Sequence, residues 1–189
     1  MRRAHFADAF KRRARLAELT AEDGEQLSTL AGRFVSTLKG GGTLFFAGNG
    51  GSAADAQHVA TEYVVRYARD RKAMPAIALT TDTSLLTAAG NDIGFDLIFS
   101  RQVEALCKKG DLLVLHSSSG KSPNLLKAAL AARATGVGVV ALLGKDGGPL
   151  KTAVDQAYLV RSEVTSEIQE TQLAIEHLIV EVVEAELLG

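Results

Sequence analysis

The apolar positions of this chain change their period several times, and each change predicts an element. Phe6, Phe10, Leu16 and Leu19 suit a helical stripe within the basic stretch Met1 to Leu19. Leu27, Leu30, Phe34 and Leu38 share one face of a second predicted helix, from Glu22 to Leu38, which Gly40-Gly41-Gly42 stops. Thr43 to Ala47 then reads as a strand, a short apolar run with β-branched and aromatic members. Four more strands are predicted at Ala76 to Thr80, Asp111 to His116, Val137 to Leu143 and Ala157 to Val160. Between them lie predicted helices from Ser52 to about Tyr67, from the polar turn Thr80 to Ser84 up to a break at Gly90-Asn91-Asp92, from Phe95 to Lys108 and from Pro123 to Thr135. A short broken helix is expected around Pro149 to Ala153, and a long last one from Ser166 to Leu187 with Ile168, Ile175, Leu178, Ile179 and Val182 as its stripe.

Strand and helix alternate, so the expected fold is α/β: a three-layer arrangement in which a five-stranded parallel sheet carries helices on both faces. At 189 residues one domain is expected over 1–189, with 1–40 as an N-terminal helical extension and 43–189 as the α/β core.

Composition narrows the function. The hydrophobic share of 47% is that of a globular chain, and no apolar run is long enough to span a membrane. Lys and Arg total 21 against 22 for Asp and Glu, which argues against a broad nucleic-acid surface. The leading basic stretch lacks the apolar core of a secretory signal, and Asp8 and Glu18 argue against a transit peptide. Cys107 is the single cysteine, which fits a reducing cytoplasm.

Two loops carry candidate chemistry. After the first strand comes Gly48-Asn49-Gly50-Gly51-Ser52, whose glycines admit positive φ and let a ligand approach the backbone. Ser52 with Asp55 reads as the capping-box start of a helix whose N–H groups favour an anion or polar ligand. His58 and Glu62 share one face of that helix; on spacing alone an ordinary surface pair is the simpler reading. Gly48-x-Gly50-x-x-Ala53 resembles a dinucleotide fingerprint, but the next strand ends too far along for the acidic residue that fingerprint needs. The second loop, Ser117-Ser118-Ser119-Gly120-Lys121-Ser122-Pro123, clusters hydroxyls where a strand meets a helix N-terminus, an arrangement suited to phosphate. It is not a nucleotide P-loop, because Leu115 stands where that motif has its first glycine.

Together with Gly90-Asn91-Asp92 and Ile168-Gln169-Glu170, these blocks occur in an order that resembles the phosphoheptose isomerase (sedoheptulose 7-phosphate isomerase) family of the sugar isomerase fold. The resemblance spans nearly the whole chain. It implies a flavodoxin-like sheet and a homotetramer with sites at subunit interfaces. It implies phosphate on Ser117, Ser118, Ser119 and Ser122, and contacts from Asn49, Gly50, Gly51, Asn91 and Asp92 to the rest of a phosphorylated seven-carbon sugar. Glu62 and His177 match the acid/base pair, with Gln169 also at the substrate; His58, Glu62, Gln169 and His177 match a zinc site, one ion per subunit. No nucleotide cofactor is implied, nor any nucleic-acid or membrane partner.

The implied reaction moves a proton between C1 and C2 of the sugar through an enediol, work for a desolvated carboxylate such as Glu62 with a neutral imidazole such as His177 beside it. Taken from its own helix, His177 is equally a polar residue at the edge of an apolar stripe. Gln169 and His177 lie eight residues apart, about 12 Å along a straight helix. A shared ion then requires either a distorted first turn or ligands from different subunits, and zinc could be catalytic, structural or accidental. Two other readings compete: a non-catalytic binding protein of the same fold, such as a factor associating with a replication initiator, and an isomerase of another phosphosugar.

Overall fold

The computed structural model describes residues 2–189; Met1, the first residue of the predicted leading helix, lies outside the described residues. Strands β1 (Leu44–Gly48), β2 (Ala76–Ala78), β3 (Leu112–Ser117), β4 (Gly138–Gly144) and β5 (Gln156–Val160) form one parallel sheet in the order β2-β1-β3-β4-β5. This is the flavodoxin-like order. Register runs from Leu44 opposite Leu112 in β1 and β3, through Leu112 opposite Gly138 in β4, to Val140 opposite Gln156 in β5. Every residue of β1 and β3 is buried, because both faces of the central strands are covered. That is why these strands read as unbroken apolar runs rather than alternations.

The helices are α1 (Arg2–Ala21), α2 (Gly24–Lys39), α3 (Gly51–Val64), α4 (Thr83–Asp92), α5 (Ser100–Leu106), α6 (Pro123–Ala134), α7 (Leu150–Ala153) and α8 (Thr165–Leu188). Successive side chains of β1 feed two separate cores. Phe46 packs with Phe34, Tyr63, Ile168 and Ile175 under α2, α3 and α8. Phe45 packs with Phe99, Val103, Leu125 and Leu150 under α5, α6 and α7.

Several local expectations are corrected. Helix α3 does not start from a Ser52 cap: its N-cap is Gly50 at φ 58°, with no side-chain hydrogen bond, and Ser52 is buried. Gly90-Asn91-Asp92 does not interrupt α4, which runs through to Asp92 after Asp82 caps it by accepting from the Leu85 N–H at 2.9 Å; the break comes at Gly94, φ 95°. The segment predicted as one helix from Phe95 splits into a 3-10 turn (Phe95–Leu97) and α5, as Ile98 and Phe99 turn into the core between them. Of the expected α1 stripe only Leu16 is buried, while Phe6 and Phe10 stand exposed. Helix α1 is held along α8 by ion pairs, Arg12 to Glu167 at 3.2 Å and Arg13 to Glu170 at 2.9 Å. The α8 stripe divides likewise: Ile168, Ile175 and Ile179 face the core, and Leu178 and Val182 face out.

Candidate active site

Strand β1 continues into α3 on one face of the sheet, whereas β3 continues into α6 on the other. The two connections diverge, so a crevice opens at the carboxyl ends of β1 and β3, where ligands of such sheets bind. The glycine turn forms one wall. A Cβ on Gly48 would lie 2.5 Å from the Ser52 carbonyl oxygen, so only glycine lets the chain double back this tightly. Across the crevice, Asn49 and Asn124 exchange amide hydrogen bonds, each 2.9 Å. Asn124 was not singled out by sequence, although a polar residue just inside a proline-started helix was the available signal.

The serine loop forms the other wall. Ser117 Oγ accepts from the Gly120 N–H at 2.9 Å and Ser119 Oγ from the Lys121 N–H at 3.3 Å, which curls the loop around its own hydroxyls. Gly120 sits at φ 63° against the Gly147 carbonyl, with no space for a Cβ. Ser122 is the N-cap residue of α6, and its hydroxyl makes no cap bond. Pro123 has no N–H and the Leu125 N–H donates to Asn124 Oδ1 at 2.9 Å, so the Ser122 hydroxyl and the Asn124 N–H are what the start of α6 offers an anion. Gln169, from the first turns of α8, stands at the rim of the same crevice: its Nε2 donates to Ser52 Oγ at 3.3 Å and lies against Gly51.

A second cluster lies farther along α3, which runs beside α8 in the same direction. His58 Nε2 is 3.0 Å from His177 Nε2 and 3.3 Å from Glu62 Oε1. The ligand atoms of all three residues lie within 4.8 Å of one another. Zn–N bonds of about 2.0–2.1 Å in a tetrahedron put neighbouring ligand atoms roughly 3.3 Å apart, so the spacing fits a metal ion. The Tyr67 ring stacks on His177, with centroids 5.5 Å apart, and its hydroxyl donates to Glu181 Oε1 at 3.3 Å.

The expected residues therefore fall into three places. His58, Glu62 and His177 converge, and Asn49, Gly50, Gly51, Gln169 and Ser117 to Ser122 surround the crevice. Gln169 does not join the His/Glu cluster of its own chain, because α8 is continuous from Thr165 and keeps it two turns from His177. Asn91 and Asp92 end α4, exposed and bonded to each other at 2.7 Å; among the described residues neither side chain bonds to the crevice loops.

Between crevice and cluster lies a buried polar layer that sequence reasoning missed. His116 Nε2 and Glu176 Oε1 are 2.9 Å apart, both fully buried. Their signals were a histidine within an apolar strand and a glutamate on the buried face of α8. Asp55 adjoins this layer, and burial pushes its carboxyl above the ordinary range, the nearby His116 and His58 working the other way.

A profile of the SIS domain family matches residues 5–144. A phosphoheptose isomerase of Trichlorobacter lovleyi is 49% identical over 173 residues, covering 92% of this chain and 86% of that one. Among solved structures, a phosphoheptose isomerase from Neisseria gonorrhoeae superposes with a TM-score of 0.92 at 36% identity, over 98% of this chain and 100% of that one. Another from Francisella tularensis gives 0.94 at 32% identity, over 98% and 99%. The divergent crevice loops, the shared sheet order and this degree of likeness lead to one assignment: the chain belongs to the SIS domain family and, within it, to the phosphoheptose isomerases.

Proposed function

We propose that this enzyme interconverts sedoheptulose 7-phosphate and a D-glycero-D-heptose 7-phosphate, a step toward nucleotide-activated heptoses in the cytoplasm. The observation that carries the reading is the convergence of one carboxylate and two imidazoles, Glu62, His58 and His177, in a chain that is 49% identical to a phosphoheptose isomerase. Residues 1–189 act as one SIS unit, with 1–40 as its helical extension.

In this reading the sugar phosphate lies on the Ser118, Ser119 and Ser122 hydroxyls and the N-terminus of α6, with Ser117 shaping the loop from beneath. Asn49, Gly50, Gly51, Gln169, Asn91 and Asp92 contact the carbon chain. The Glu62 carboxylate takes a proton from C1 of the open-chain ketose while His177 gives one to the C2 carbonyl oxygen, and the enediol forms. Glu62 then returns its proton to C2, and His177 takes the proton of the C1 hydroxyl, leaving the C1 aldehyde. His58, Glu62 and His177, with Gln169 from another subunit, would hold a zinc ion. Such an ion supplies Lewis acidity toward the sugar's carbonyl and hydroxyl oxygens.

Distance supports a site shared between subunits. Glu62 follows Gly51 by eleven residues of one continuous helix, about 16 Å at 1.5 Å per residue. Carbon–carbon bonds of about 1.5 Å let an extended seven-carbon sugar reach roughly 9 Å from its reacting carbons to its phosphorus. Less the roughly 4 Å reach of the Glu62 side chain, that gap still exceeds the sugar's span, which favours an acid/base pair serving a phosphate held by a neighbour. The exposed Phe6, Phe10, Leu178 and Val182 supply apolar surface for a homotetramer. The decisive experiment incubates the protein with sedoheptulose 7-phosphate and follows appearance of the aldose by NMR, beside light scattering of the same sample. Turnover by a tetramer is expected. A monomer, or no turnover with other phosphosugars or a replication initiator bound instead, overturns the reading.

A further inference from the structure

Helix α3 ends at Val64 with no glycine to cap it, and its last carbonyls need donors. Arg71 serves two of them, the Tyr63 carbonyl also accepting from the Met74 N–H at 3.1 Å. Its Nη2 donates to the Glu62 carbonyl oxygen at 2.6 Å, and its Nη1 donates to the Tyr63 carbonyl oxygen at 2.7 Å. Its Nε donates to Glu184 Oε1 of α8 at 2.8 Å. Glu184 in turn accepts from the Tyr67 and Ala68 backbone N–H groups, each at 3.2 Å. The Arg71 and Glu184 side chains are only 1% and 3% exposed.

This clamp touches both halves of the His/Glu cluster without entering it. On one side it holds the main chain of Glu62, in a terminal turn that would otherwise fray. On the other it anchors to α8 two turns beyond His177, and through the Tyr67 N–H it seats the ring that stacks on His177. A planar fork with five donors can span two carbonyls and a carboxylate at once; a lysine ammonium cannot. A buried ion pair of this kind is weak evidence for stability by itself, since desolvating both charges offsets most of their attraction.

We propose that Arg71 is a positioning residue of the isomerase, keeping the Glu62 carboxylate in register with His177 by clamping the end of α3 to α8. The inference rests on the assignment of Glu62 and His177 as the acid/base pair. Small displacements suffice for a large effect, because misplacing a reacting group by about 1 Å can cost on the order of 10²-fold in rate.

The test compares Arg71→Lys, Glu62→Gln and the double variant in the full oligomeric enzyme, reading kcat, KM, assembly and thermal midpoint. Arg71→Lys keeps a cation opposite Glu184 but loses the fork. The expected result is a folded, assembled enzyme with KM near wild type, kcat reduced roughly 10–100-fold, and a double variant little slower than Glu62→Gln alone. Wild-type kcat in Arg71→Lys overturns the proposal. So does a fall in activity that merely follows the fraction of folded protein, the mark of a purely structural role. If Arg71→Lys does not fold, Glu184→Gln, which loosens the clamp from the α8 side, is read by the same criteria. Normal turnover in Glu62→Gln would remove the acid/base assignment and this proposal with it. An inactive Glu62→Gln beside a fully active Arg71→Lys would remove only the clamp.

Discussion

His58 and His177, 119 residues apart in sequence, meet Nε2 to Nε2 at 3.0 Å. Two imidazole nitrogens brought this close either share a proton or turn their lone pairs toward a common cation. With Glu62 Oε1 3.3 Å from the same His58 nitrogen, the cluster offers three ligand atoms to one ion.

Zinc is therefore expected to co-purify or to bind on addition. His58→Gln should weaken it by roughly a hundredfold or more, since even groups that only orient zinc ligands contribute 10–100-fold. Elemental analysis after dialysis against a graded chelator series measures this. Equal zinc retention by wild type and His58→Gln would sink the metal assignment. Stripping the metal should lower turnover, and added zinc should restore it.

Glu62→Gln preserves shape and removes the basic oxygen. Loss of general base catalysis typically costs 10²–10⁴-fold, about 3–5 kcal/mol in barrier, with KM little changed. His177→Gln should also slow turnover, and the double variant should cost less than the sum if the pair acts as a unit. Zinc content must be measured alongside, because loss of metal would mimic loss of the base. A fast Glu62→Gln enzyme with intact fold rules the assignment out.

The Ser122 hydroxyl makes no cap bond at the start of α6. Ser122→Ala should therefore leave stability nearly unchanged while weakening substrate or sulfate binding by about 1.5–3 kcal/mol, the contribution of a hydrogen bond to a charged group. Calorimetric titration with sulfate gives the number. Unaltered affinity would place the phosphate elsewhere.

Glu184 carries a pH signature. Burial pushes its carboxyl up, but the bonds from Arg71 and from the Tyr67 and Ala68 N–H groups outweigh this and hold it below the ordinary range. A folded-state value below the unfolded one means that its stabilisation is present above the unfolded carboxylate value of about 4.3 and is lost as pH falls through the folded value. Glu184→Gln should cost about 1.5–3 kcal/mol near neutral pH, as expected for a charge-assisted bond. Its deficit relative to wild type should shrink below about pH 4. Denaturant melts across that range decide it; a deficit independent of pH contradicts the ionised clamp.

The core strands were legible because burial on both faces leaves a mark in local sequence. Leu44 to Gly48 and Leu112 to Leu115 need no polar side, so they appear as continuous apolar runs, and the strand boundaries fall within a residue of those expected. The glycine turn and the serine loop were legible for a similar reason, since tight backbone and hydroxyl clusters are local requirements. Helix punctuation was less so. Gly90 looked like a break, yet α4 passes through it, because a single glycine costs a helix only about 1 kcal/mol and a cap such as Asp82 contributes about as much. Ser52 looked like a cap, yet it is buried under Gln169, a contact with a residue 117 positions away.

The sequence by itself determined the α/β class, the five strands, the two loops at their carboxyl ends and the family, all of which follow from periodicity and short motifs. Only the tertiary structure decided which residues share a site. The parallel run of α3 beside α8 brings His177 to His58 and Glu62, leaves Gln169 at the crevice, and lets Arg71 close the end of α3 against Glu184. Those meetings depend on the handedness of the crossovers and on side-chain packing between elements more than a hundred residues apart. Such information is spread over the whole chain and written in no single stretch of it.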